Sequence, residues 1–351
     1  MKKGVFKMRV AVLGAGSLGT IIGAFIANGG ENVELIDINQ AHVDALNKFG
    51  AKIVGTTECT IPVKAVTPKQ MSGTYDLVLL LTKQLYNQSV ISELLPFLNE
   101  TSVVCSLQNG IPEGNIVSLV GKERVVGGSV EFGATWVEPG VSKLTTDFGT
   151  FKEQAFAIGE LDGSMTERIQ NIKSVLDHVG GTVISDNLVG IKWSKLMVNV
   201  ALSGMSAALG GTYGDVLDNE FGVMSAVHLA DETIKVGHSR GIKFARMGGF
   251  DISSLEIKNE SDIEDRMNVF RTMLKPQALL KASMLQDLEK QRKTEIDYIN
   301  GIVPNQAKHS GILTPYNDLV VKLVKQAEET KNIPNFGLNI QSFKQLIKNN
   351  N

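Results

Sequence analysis

MRVAVLGAGSLGTIIGAFIANGG, residues 8–30, is the stretch on which the fold turns. A short Val-rich apolar run opens it, a glycine-punctuated turn follows, and Ile21, Ile22, Phe25 and Ile26 then recur with helical spacing. Strand, turn and helix in that order give GAGSLG a structural meaning that the bare pattern lacks in a chain with 35 glycines. Gly14 permits the tight exit from the strand, Gly16 lets a pyrophosphate approach the backbone, and Gly19 lets the helix pack closely on the sheet. With Ala15, Ser17 and Leu18 these residues form a loop at a helix N-terminus, where unpaired N–H groups attract phosphate. Some twenty residues on, at the end of the next expected strand, Asp37 is placed to accept hydrogen bonds from both hydroxyls of an adenosine ribose. A 2′-phosphate would be repelled there, so Asp37 favours NAD(H), with Asn39, His42 and Lys48 near enough in sequence to offset it in part.

Working outward, NVELIDIN, YDLVLLLT and TSVVCSLQNG read as further strands separated by helical patterns. That alternation predicts an α/β domain, a Rossmann-type parallel sheet with helices on both faces. A β-rich stretch with a turn at EPG, and one more strand in QAFAIGE, carry this domain to about Asp186. Beyond it helical patterns take over and predict an all-α domain, so the expected division is 1–186 and 187–351. Residues 248–265 lack an apolar period and read as a surface loop or flap, and the tail after Ile333 as a short fraying helix.

Composition sets the outer limits. The length of 351 residues suits two domains. A net charge of −2 gives no reason to expect nucleic acid or an anionic membrane as partner. Cys59 and Cys105 stand in no metal-ligand or CxxC spacing, and the amino terminus lacks the apolar stretch of a signal peptide. No apolar run approaches the ~20 residues that span a bilayer. These features predict a cytoplasmic protein acting on a small molecule, without a metal.

In the helical half, Lys195, Asn199 and Ser203 are spaced by four and would share one helix face in apolar surroundings. Trp193 is expected to pack at a domain junction, and the scattered methionines to line core or cleft. His178, His228, His238 and His309 have no acid at triad-like spacing.

GAGSLG, Thr82–Lys83, QNG at Gln108–Gly110, WSKLMVN at Trp193–Asn199 and SMLQDLEKQRKTEIDYING at Ser283–Gly301 together resemble, in order, the ketopantoate reductase (2-dehydropantoate 2-reductase) family. The resemblance implies NAD(P)H-dependent reduction of a 2-keto acid, ketopantoate to pantoate in pantothenate biosynthesis, by a homodimer paired through the helical domain. It implies Lys195 as general acid, Glu295 as anchor of the network around the lysine and the substrate hydroxyl, Asn199 and Ser203 on the substrate, and Ser283 on its carboxylate. Lys83 and Asn109 would lie at the nicotinamide end of the cofactor, which Glu295 also approaches. Family habit favours NADP(H), and Asp37 departs from it. A second departure is Ser203–Gly204, where the family carries a further asparagine followed by proline. Both suit a relative that acts as an NAD-dependent D-2-hydroxy acid dehydrogenase on a branched or aromatic 2-keto acid. A nucleotide sensor without catalysis fits poorly, because a sensor has no use for a proton donor.

On one straight helix Ser283 and Glu295 would stand about 18 Å apart, too far to share a small substrate. A break is therefore expected between them, with Thr294 and Asp297 as an N-capping pair that puts Glu295 in a new first turn.

Overall fold

The computed structural model describes residues 8–350. The amino terminus up to Lys7, in which no signal peptide is expected, lies outside the described residues. The chain divides into two compact units, Met1–Leu188 and Val189–Asn351.

The first unit contains the strands β1 (Arg9–Leu13), β2 (Asn32–Ile36), β3 (Ala51–Gly55), β4 (Cys59–Ile61), β5 (Lys64–Val66) and β6 (Tyr75–Leu80). After these come β7 (Leu98–Ser106), β8 (Val125–Val130), β9 (Ala134–Glu138), β10 (Val141–Leu144), β11 (Phe156–Gly159) and β12 (Thr182–Ile184). Eight strands form the main sheet in the order β12-β11-β8-β7-β6-β1-β2-β5, parallel throughout except at β8–β11. Buried on both faces, such strands read as unbroken apolar runs. Their side chains still divide by the two-residue period: Val10, Val12, Leu77 and Leu79 enter one core, Ala11, Leu13, Val78 and Leu80 the other.

The helices α1 (Ser17–Asn28), α2 (Gln40–Phe49), α3 (Asn87–Leu94), α4 (Glu113–Val120), α5 (Phe148–Glu153) and α6 (Glu167–Leu176) connect these strands. One face departs from the expected pattern. A second sheet of order β4-β3-β10-β9 covers α1, and its Ile53, Ile61 and Leu144 share a core with Ile21 and Ile22. The chain reverses direction after β1–β2–β5 and returns to pair β6 on the other side of β1. That switch point opens a crevice at the carboxyl ends of β1 and β6, where ligands of doubly wound sheets bind.

The second unit is helical, and among its described residues the only β pairing is the isolated Met247–Phe250 bridge. α7 (Leu188–Val198) runs through a π-helical segment, Asn199–Ser203, into α8 (Gly204–Leu209). There follow α9 (Tyr213–Asp218), α10 (Glu220–Ser239), α11 (Asp262–Leu274), α12 (Ser283–Glu289), α13 (Ile302–Ala307), α14 (Pro315–Thr330) and α15 (Phe336–Asn350). Trp193 packs edge-on against Phe244, and Met197, Met205, Met267 and Met284 are buried.

One expectation is corrected here. The tail is a 15-residue helix, not a short one, because Ile340, Phe343 and Ile347 bury one stripe of it. Residues 248–261 are the surface loop expected, anchored at one turn: Ile252 and Leu255 are buried in a 3-10 turn, and the Ile257 N–H donates to Asp231 Oδ1 at 2.8 Å. None of the described helices is long and apolar enough to cross a membrane.

Candidate active site

In the first unit the glycine loop leaves β1 at Gly14, whose φ of +102° an L side chain rarely adopts. A Cβ there would also stand 2.7 Å from the Thr82 nitrogen, so the loop lies hard against the segment after β6. At Gly19 a Cβ would meet the Gly14 oxygen at 2.2 Å, which is the close helix–strand packing expected of the third glycine. Gly16 differs: a Cβ there meets nothing within 4 Å. The loop is packed from below and open above, beside the first turn of α1, which carries no acid. Those features fit a pyrophosphate, whose charge the helix N-terminus favours.

Next to the loop lies a cavity of about 380 Å³ lined by Leu13, Ile36, Asp37, Met71, Tyr86 and Glu93, among others. Its walls are apolar apart from a few polar groups, its carboxylates are Asp37 and Glu93, and none of its lining residues is cationic. Asp37 is half-buried at the end of β2, and its Oδ1 accepts the Asn39 N–H at 2.9 Å. The side chains of the three neighbours expected to offset this acid have other partners, although the Asp37 charge still acts on His42. Asn39 caps α2 by accepting the His42 N–H, Lys48 lies 4.8 Å over the Phe49 ring, and His42 is fully buried.

Lys83 and Asn109 follow the neighbouring parallel strands β6 and β7. A buried amide cluster ties their loops together: Gln108 Nε2 donates to the Thr82 carbonyl at 2.6 Å and to Asn87 Oδ1 at 2.7 Å, and Gln84 Nε2 donates to the Asn109 carbonyl at 2.5 Å. Gln84 and Asn87 carry no motif signal of their own. Their role is visible only once the two loops are adjacent.

In the second unit Lys195 and Asn199 lie one turn apart and are half-exposed, whereas every other residue from Lys192 to Leu209 is buried. Ser203, inside the π-helical turn and 8% exposed, stands with its hydroxyl 2.5 Å from that of Tyr213. Asn300 Nδ2 donates to the Val200 carbonyl inside the π segment at 3.1 Å and to Asn317 Oδ1 at 3.2 Å.

The helix carrying Ser283 does break before Glu295. Ser283 is exposed at the first position of α12, Gln291 turns the chain with φ of +53°, and a 3-10 turn, Ile296–Tyr298, starts beyond a half-buried Glu295. The capping pair is not the one expected. Thr294 donates from its N–H and hydroxyl to Glu328 at 2.6 and 2.7 Å and accepts the Ile296 N–H, while Asp297 pairs with Lys325. Among the described residues no group of three or more His, Cys, Asp or Glu side chains is placed to hold a metal.

Known proteins match over both units. The profile described as Ketopantoate reductase PanE/ApbA matches residues 10–160, and that of its C-terminal part matches residues 187–328. The 2-dehydropantoate 2-reductase of Pyrococcus horikoshii is 33% identical over 92% of this chain and 98% of its own. A PanE/ApbA family ketopantoate reductase from Ralstonia eutropha superposes with a TM-score of 0.76 at 25% identity, over 92% of this chain and 99% of that one. A D-mandelate dehydrogenase solved with NADH and anilino(oxo)acetate shares the fold, with a TM-score of 0.78 at 24% identity over 93% and 100% of the two chains. The chain therefore belongs to the ketopantoate reductase family of NAD(P)-dependent oxidoreductases.

Proposed function

We propose that the protein reduces a 2-keto acid to the 2-hydroxy acid with NADH as preferred cofactor, ketopantoate being the first candidate substrate, and that Lys195 is the general acid. The observation that carries this reading is the pair Lys195 and Asn199, the two partly exposed residues, both polar, in the otherwise buried run from Lys192 to Leu209. Bound dinucleotide supplies the hydride. As negative charge grows on the carbonyl oxygen, a positioned ammonium stabilises it and then gives up a proton. Asn199 holds the polar end of the substrate, Ser283 its carboxylate, and Glu295 orients the lysine. Gly14 to Gly19 and Asp37 hold the pyrophosphate and ribose, Lys83 and Asn109 the nicotinamide end, and the active form is a homodimer.

Asp37 and Glu93 in a cavity whose lining lacks cations support NADH over NADPH, since a 2′-phosphate would meet carboxylates and find no partner. Asp37→Asn should narrow the NADH:NADPH ratio of kcat/KM by about tenfold, the loss of a charge-assisted bond being worth ~1.5 kcal/mol. An unchanged ratio would place cofactor selection elsewhere. A second reading, turnover of a bulkier 2-keto acid, draws support from Ser203, shorter than the family's asparagine and committed to Tyr213. Initial rates with both cofactors on ketopantoate and on branched and aromatic 2-keto acids separate the two readings. Absence of turnover on all of them would overturn both.

A further inference from the structure

His42 lies on α2 with no exposed surface and makes contacts that its sequence position does not announce. Its Nδ1 accepts the Gly140 backbone N–H at 2.9 Å, from the turn between β9 and β10. Its Nε2 stands 2.7 Å from the Ala15 carbonyl oxygen in the glycine loop and 3.2 Å from the Thr20 hydroxyl, which itself donates to the same carbonyl at 2.8 Å. The ring rests on Trp136 with centroids 4.5 Å apart. A backbone N–H can only donate and a carbonyl can only accept, so these partners dictate the tautomer: Nδ1 bare, Nε2 protonated. Burial keeps the imidazole below its ordinary 6.5, against the pull of the Ala15 carbonyl and the Asp37 carboxylate.

The Ala15 carbonyl, held inward by two donors, belongs to the same peptide plane as the Gly16 N–H. In a trans peptide the two point in opposite directions. The clamp therefore turns the Gly16 N–H away from the side on which His42 and Thr20 hold the Ala15 carbonyl. We propose that His42, fixed as the Nε2–H tautomer by the β9–β10 turn, is the positioning residue that sets the Ala15–Gly16 peptide for the dinucleotide pyrophosphate. It touches no ligand itself. The inference rests on reading the glycine loop as the pyrophosphate seat.

Two variants separate positioning from simple anchoring. His42→Asn keeps an acceptor near the Nδ1 position for Gly140 but has no donor that reaches Ala15, whereas His42→Gln places an amide N–H near the Nε2 position. Titrated with NAD⁺ and followed by calorimetry, His42→Asn should bind roughly fivefold more weakly than the parent, the value of one neutral hydrogen bond. His42→Gln should stay close to the parent, with the two variants melting alike in the absence of ligand. Equal weakening in both variants, or none in either, overturns the inference. Nitrogen-15 shifts of the His42 ring in the unmodified protein decide it even if a variant fails to fold: a proton on Nδ1 refutes it. Gly16→Val separates this failure from that of the underlying reading, because its side chain enters open space and should abolish NAD⁺ binding without unfolding the loop. Undiminished binding by Gly16→Val would overturn the pyrophosphate seat itself.

Discussion

Replacing Lys195 with methionine is expected to lower kcat by about 10²–10⁴ and to leave NADH affinity unchanged. Methionine keeps the length and the apolar stem of the side chain, so the packing of α7 survives and only the proton donor is lost. Apart from Glu295, which the family resemblance also brings near the nicotinamide, the residues proposed for the dinucleotide lie in the first unit and Lys195 in the second, so a titration of NADH by its own fluorescence tests the separation. Asn199→Ala supplies the contrast, because a residue that holds the substrate equally in ground and transition states raises KM more than it lowers kcat. A Lys195→Met enzyme that retained kcat within about tenfold would remove the lysine from the chemistry, since general acid catalysis is worth more than that.

The parts of the site that could be read from sequence are those whose partners are close in sequence or whose backbone demand is specific. Gly14, Gly16 and Gly19 are separated by the spacing of one turn and one helix start, and each glycine marks a contact that a Cβ would spoil or a face that it would obstruct. Strands such as β6 were legible because a buried parallel strand leaves a continuous apolar run. The second sheet was not: β4 has three residues, and β3 pairs with β10 from far along the chain. Nor does the run VNVALSG distinguish α from π winding, since the same residue types suit both, or announce that Tyr213 takes up the Ser203 hydroxyl. Thr294 shows the same limit. Its local spacing pointed to Asp297, but Glu328 on α14 offered a carboxylate to both of its donors. The partner of His42, Gly140, lies 98 positions away and leaves no mark on the sequence around either residue.

Acid should weaken the second unit through His228. Its ring stacks on that of Tyr316 at 4.4 Å and 7°, and burial, with a smaller contribution from Lys235, pushes its pKa from 6.5 down to about 4. A group whose folded pKa is depressed binds fewer protons in the fold than in the unfolded chain between those two values. Stability is therefore intact above 6.5 and falls with pH through that window, by about 1.4 kcal/mol per pH unit and about 2–3 kcal/mol by its lower end. Glu232, one turn along α10, offers no counter-charge there, because its own burial pushes its carboxyl up to about 8. Glu232 accepts the Tyr316 and Asn317 N–H groups and the Asn317 amide, Asn317 accepts from Asn300, and Asn300 holds the Val200 carbonyl of the π segment that carries Asn199. Charging His228 thus loosens a stack at the start of the chain of hydrogen bonds that ends beside the proposed catalytic face. His228→Phe keeps the stacking and cannot take a proton, so its urea midpoint should decline less than the parent's from about pH 7 to about pH 4. Parallel declines would mean that His228 titrates alike in the folded and unfolded chain, and the acid sensitivity would then belong to other groups.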